Sequence, residues 1–114
     1  MQIFQSEAEL LQALDKHDAL VRRCVDGTIG FWEFCEEYAD FYAFHALDGH
    51  ESDEEERALL EKHDSRIEPH RVISYEILGK VCSDEDARRK IYREAGRFGS
   101  ARAVELLSRV DFGP

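Results

Sequence analysis

Phe31, Phe34, Cys35, Tyr38, Phe41, Tyr42 and His45 follow one another at steps of 3, 1, 3, 3, 1 and 3 residues. That rhythm is one face of a helix with about 3.6 residues per turn. It is not a strand, whose side chains alternate at every second position. An aromatic stripe of this kind has to be covered by other helices. The stripe predicts a helix over about 30–47, ended by Asp48-Gly49-His50.

The rest of the chain supplies partners of the same type. Ser6 with Glu9 forms a capping box for a first helix running to about Val25, with Leu10, Leu14, Val21 and Val25 at helical spacing and Leu11 beside them. Asp26-Gly27 stops that helix, because glycine tolerates the left-handed conformation that ends helices. Ser52 with Glu55 reads as a second box, opening a helix over about 53–65 with Leu59, Leu60 and His63 inward. Pro69 fits the first turn of a fourth helix with the stripe Val72, Ile73, Ile77 and Val81. Ser83 caps a fifth, with Ala87, Ile91, Ala95 and Phe98 inward, and Gly99 separates it from a last helix carrying Val104, Leu107 and Val110. No alternating run suggests a strand. The expected fold class is all-α: a compact single-domain bundle of five to six antiparallel helices over residues 1–114.

Composition agrees. A chain of 114 residues buries roughly 65% of its unfolded surface, enough for one core. Seven Phe, four Tyr and one Trp argue against disorder. Cys24, Cys35 and Cys82 are odd in number and lack metal or redox spacing, so free thiols in a reducing compartment are expected. The first residues lack a basic region followed by an apolar run, and no stretch approaches the ~20 apolar residues of a membrane span. The expected location is the cytoplasm, with no membrane association.

Charge is distributed unevenly. Seventeen of the twenty-five acidic residues lie in the first 64 positions beside only five Lys or Arg, so that part carries −12 and the remainder +2. Charge selects partners and encounter rates rather than folds. Glu33, Glu36, Glu37 and Asp40 fall opposite the aromatic stripe. Asp48, Glu51, Asp53, Glu54, Glu55 and Glu56 follow in the next loop and cap, giving ten carboxylates within 24 residues. Two readings stand: a solvated face that keeps the bundle soluble, or a docking surface for a basic protein, with Trp32 as its aromatic anchor. The net charge of −10 argues against direct binding of nucleic acid.

Asp26-Gly27-Thr28-Ile29-Gly30-Phe31-Trp32-Glu33 resembles the second half of a calcium loop, but Arg22 and Cys24 fall where the first carboxylate ligands belong. The segment reads as a helix–turn–helix junction with Ile29 plugging the core. His45 and His50 lie near Asp48, Glu51 and Glu54 without a metal-binding spacing, while His17 and His63 read as partly buried surface residues. No nucleophile elbow or Gly-rich loop is present, and Cys35 lies on the aromatic face as a core thiol. No catalytic residue, metal or cofactor is expected. Arg88, Arg89, Lys90, Arg93 and Arg97 could touch phosphate, although an internal complement to an acidic element is the favoured reading.

Val25-Asp26-Gly27-Thr28-Ile29, with Phe34 and Tyr38, has the form apolar–x–Gly–x–Ile followed by spaced Phe and Tyr. Over residues 21–45 the chain resembles the small, acidic, all-helical bacterial immunity proteins of the colicin D inhibitor type. That resemblance implies a protein that binds a nuclease toxin's active site with acidic residues imitating RNA phosphates. No toxin-contacting position transfers residue by residue, so the contact candidates come from the helical-face argument alone. The expected function is therefore a non-enzymatic immunity protein that blocks a basic nuclease-type toxin. The alternatives are an acidic adaptor module in a larger assembly, or a metal-dependent or acid–base enzyme built around His45 to Glu55.

Overall fold

A computed structural model describes Phe4 and residues 6–112. Helix α1 (Glu7–Val25) opens as its capping residue requires: the Ser6 hydroxyl oxygen accepts the Glu9 N–H at 3.2 Å. Leu10, Leu14, Leu20, Val21 and Cys24 turn inward, whereas Val25 at the helix end is exposed. Gly27 then takes φ +84°, Thr28 donates its N–H to Asp26 Oδ1 at 2.9 Å, and Ile29 is buried. Phe31 begins α2 (Phe31–Tyr38). The Asp26–Ile29 segment is thus the helix–turn–helix junction, with the Asp26 carboxylate engaged by Thr28.

The expected helix over 30–47 is broken in the middle. Ala39 and Asp40 both take φ +48°, and the chain restarts as the single turn α3 (Phe41–Phe44). A left-handed non-glycine residue costs roughly 1–2 kcal/mol. Burial of Tyr38, Phe41 and Tyr42 on either side of the break offsets that cost. The aromatic stripe is therefore inward as expected, but on two helices rather than one.

Helices α4 (Glu54–Lys62) and α5 (Asp64–Val72) meet at His63 with almost no connection. The α4 cap lies one residue later than expected. Asp53 Oδ1 accepts the Glu56 N–H at 2.8 Å, while the Ser52 hydroxyl donates to Glu56 Oε1 at 2.9 Å. Glu56 Oε2 in turn accepts the Phe4 N–H at 2.8 Å, so this carboxylate is buried and does not belong to the acidic surface. Pro69 is inside α5, not in its first turn, because the helix starts earlier at Asp64. The helix widens into a π-helical turn (Ile73–Leu78) that buries Ile73, Ser74 and Ile77.

Residues 78–102 hold no fully buried side chain. Their neck is closed by the Cys82 N–H to Phe98 O (2.8 Å) and the Phe98 N–H to Lys80 O (3.3 Å), the pairing of an isolated Val81–Phe98 bridge. Ser83 caps as expected, accepting the Asp86 N–H at 3.1 Å. It starts only a 3-10 turn (Asp86–Arg88), followed by the short α6 (Lys90–Glu94). The expected inward stripe fails at its middle, where Ile91 is 68% exposed and Ala95 is exposed too, while Ala87 is half-buried and Phe98 packs against the core. Extended Arg89 and left-handed Gly96 interrupt the helix on both sides. Helix α7 (Ser100–Ser108) returns to the core with Ala103 and Leu107, packing on α1 and α2. The described residues contain no strand, and the fold is all-α.

Candidate docking face

On α2, Phe31, Phe34 and Tyr38 occupy the buried side and Cys35 its edge. Trp32, Glu33, Glu36 and Glu37 are consequently thrown outward, and all four are exposed. Trp32 is 46% exposed yet held in place. Its Nε1–H donates to Asp84 Oδ2 at 3.1 Å, and its ring stands edge-on to Phe31 with centroids 5.0 Å apart. Among the described residues Glu33, Glu36 and Glu37 make no ion pair. Many carboxylates elsewhere are neutralised within the chain: Glu7 by Lys62, Asp15 and Asp18 by Arg66, Glu68 by Arg71, Glu76 by Lys80, and Glu105 by Arg102 and Arg109, while Glu9, Glu54, Glu55, Glu61, Asp64 and Glu85 share with the α2 acids the lack of an ion pair among the described residues. Asp40 departs from the expected face. It lies in the left-handed break, half-buried, with Oδ1 enclosed and lacking a hydrogen-bond partner among the described residues.

The second acidic concentration belongs to a different helix pair, since α2 packs on α1 and α7 while α4 packs on α5. Asp48 and Glu51 flank His50, which bonds the Asp48 carboxylate and lies 3.7 Å from Glu51. Asp53 is spent on capping, and Glu54 and Glu55 are exposed in the first turn of α4. Beside them a hollow of about 250 Å³ has a floor of Tyr42, Leu47, Leu60 and Ile67 and a rim of Asp48, Arg57, Glu61, Asp64, Glu68 and Arg71.

No family model, curated protein or solved structure matches this chain.

The histidines do not gather at one point. His45 stacks on Phe4 with centroids 5.6 Å apart and bonds Phe41 O through Nδ1, whereas His50 is exposed. Among the described residues no group of three or more His, Cys, Asp and Glu is placed to hold a metal ion. His17 is buried at 7% exposure rather than a partly buried surface residue, its ring flat on Phe41 at 3.8 Å. Burial raises the thiol pKa of Cys24, and burial together with Cys24 pushes Cys35 up to about 11, which suits inert core thiols.

The polar group that sequence reading missed is internal. His70 is 0% exposed, with Nε2 2.6 Å from Asp18 Oδ1 and Nδ1 2.6 Å from the Tyr38 hydroxyl. The Asp18 carboxylate can only accept, so Nε2 carries a proton. Asp18 Oδ2 also accepts from Arg66 at 2.9 Å. Burial would raise the Asp18 pKa, but the bonds from His70 and Arg66 outweigh it and hold the carboxyl below its usual range. This relay braces α1, α2 and α5. Its signal lay in the spacing: Leu14, His17, Asp18 and Val21 share a face, as do His70, Ile73, Ser74 and Ile77.

A pH dependence follows. Burial lowers the pKa values of His17 and His45, so the folded state binds fewer protons than the unfolded chain below about pH 6.5. Their contribution to stability is present above that pH and lost as pH falls. Asp18, also lowered, loses its contribution in a second step below about pH 4. His50, raised by the Asp48 bond, acts in the opposite sense, but it is fully exposed and screened. Urea midpoints should peak near pH 7–8 and drop by pH 5, with a shallower drop in His17→Gln. A flat profile between those values would refute this account.

Proposed function

We propose that this chain is a non-enzymatic binding protein that docks a basic protein on the outer face of α2. In its sharpest form the partner is a nuclease-type bacterial toxin whose active site the chain covers. The observation that carries the reading is the set Glu33, Glu36 and Glu37: three exposed carboxylates without ion pairs among the described residues, beside a Trp32 ring already fixed by Asp84. Unpaired acids create a field that speeds encounter with a cationic surface, and a half-exposed, pre-oriented indole supplies the anchor that becomes buried. Nuclease domains present basic clefts to nucleic acid, which makes them fitting partners for such a face. The run Asp48 to Glu55 is a second area of negative potential, and the adjoining hollow offers an apolar floor to the stem of an incoming Lys or Arg.

The reading expects a larger toxin with a basic terminal domain to be encoded beside this chain, and an isolated gene counts against it; the test uses that domain. A one-to-one complex that suppresses its nuclease activity is expected. Glu33→Lys/Glu36→Lys/Glu37→Lys should slow association by about 10–100-fold at low salt and flatten its salt dependence. Trp32→Ala should instead speed dissociation. Association rates equal to those of the unmodified chain would remove the α2 face from the proposal.

A further inference from the structure

The basic run does not pack against an acidic element as expected: α6 and the 3-10 turn before it pack on one another, and their side chains are largely exposed. Instead Arg88, Arg93, Arg97 and Arg102, with Asp84 and Ser100, line a hollow of about 550 Å³ at the opening turn of α7. That volume lies within the roughly 300–1,000 Å³ of small-molecule sites. Arg88 and Arg93 make no ion pair among the described residues. Arg97 donates to Gly79 O at 3.2 Å, which fixes its position without neutralising it, and Arg102 pairs with Glu105 at 2.8 Å. The one carboxylate in the lining is Asp84, and both its oxygens are taken. Oδ1 accepts from the Ser100 N–H (2.7 Å) and hydroxyl (2.8 Å), and Oδ2 accepts from Trp32.

A chain of net charge −10 has carboxylates to spare, yet four arginines line this one hollow with a single carboxylate among them. We propose that the hollow binds the phosphate groups of a small polyphosphorylated molecule. Guanidinium forks match phosphate oxygens in pairs, where a carboxylate-lined or lysine-lined site would not. The opening turn of α7, nine residues long, borders the hollow with Ala101 and Arg102 and so brings the positive end of the helix dipole to its edge. The size of the anion is set by the surroundings. Trp32, bonded to Asp84 at the rim, adjoins Glu33 and Glu36, so a long polyanion such as RNA would run onto the acidic face of α2. A compact anion avoids it, because repulsion from more distant charges is screened beyond about 8 Å at physiological salt. This site is separate from docking on α2, and failure of either leaves the other standing.

The experiment is a titration of the whole chain with sodium tripolyphosphate, followed by amide and arginine Nε–H magnetic resonance. Saturable shifts confined to Ser100, Ala101, Arg102 and the lining arginines are expected. Arg88→Gln/Arg93→Gln should weaken binding about tenfold or more, with the remaining spectrum unchanged, while Arg22→Gln/Arg23→Gln on α1 should leave it intact. The proposal is overturned by absence of saturation at about 10 mM, by equal loss in the α1 variant, or by tighter binding of an oligoglutamate peptide or a short RNA than of tripolyphosphate.

Discussion

Phe41→Ala is expected to lower the free energy of unfolding by about 3–5 kcal/mol, the range for deleting a fully buried aromatic ring. Phe41 is 0% exposed and is the hub of the interior. His17 stacks on it at 3.8 Å, His45 and His70 meet it edge-on at 5.0 and 5.1 Å, and Tyr38 lies 6.1 Å away. The truncation leaves a cavity lined by rings from α1, α2 and α5. A small domain has about 5–15 kcal/mol in total, so the variant should be partly unfolded at 37 °C, as read by urea denaturation and near-ultraviolet circular dichroism. Phe44→Ala is the control. Its ring is 75% exposed, and a change of similar size there would show that the packing argument is wrong.

Asp18→Ala should cost about 3 kcal/mol, because it leaves the buried His70 Nε2–H without an acceptor and removes one of two carboxylates from Arg66. The figure is set at the low end of the range for broken buried pairs because the Arg66 side chain is a third exposed. Asp15→Ala removes the other carboxylate from the same Arg66 at an exposed position and should cost below about 1 kcal/mol. Tyr38→Phe, which deletes only the outer hydroxyl of the relay, should fall near 1 kcal/mol. Equal losses in the Asp18 and Asp15 variants, measured as urea midpoints at pH 7.5, would show that the relay contributes no more than a surface ion pair.

Helical periodicity made the fold class legible, along with most of the core: Leu10, Leu14, Val21, Phe31, Phe34, Tyr38, Phe41, Ile73, Ile77 and Leu107 are all buried. What periodicity could not show was where a helix stops for tertiary reasons. Nothing in Tyr38-Ala39-Asp40-Phe41 is a helix breaker, and the stripe continues across the break because the packing of both halves demands the same inward side. The opposite holds at Ile91, where helical spacing within 87–98 predicts burial but the side chain stays exposed on a helix of only five residues. The outer face of α2 was legible as the complement of its buried stripe. Asp40 and Glu56 were misplaced because side chains next to a backbone break or a helix cap are recruited to satisfy local donors or enclosed by the turn.

The excursion over 82–98 has a dynamical consequence. It contains no fully buried side chain, and opening it lifts the partly buried Phe98 off the core and breaks its two neck hydrogen bonds with the ties of Asp84 to Trp32 and Ser100. Each such bond is worth only about 0.5–1.5 kcal/mol net. Its amides therefore exchange with solvent through local excursions well below the global unfolding free energy, while those around Phe41 wait for the whole molecule to open. Two regimes of motion share one short chain: a stiff aromatic hub, and a cationic loop that can reshape around whatever it meets without loosening that hub.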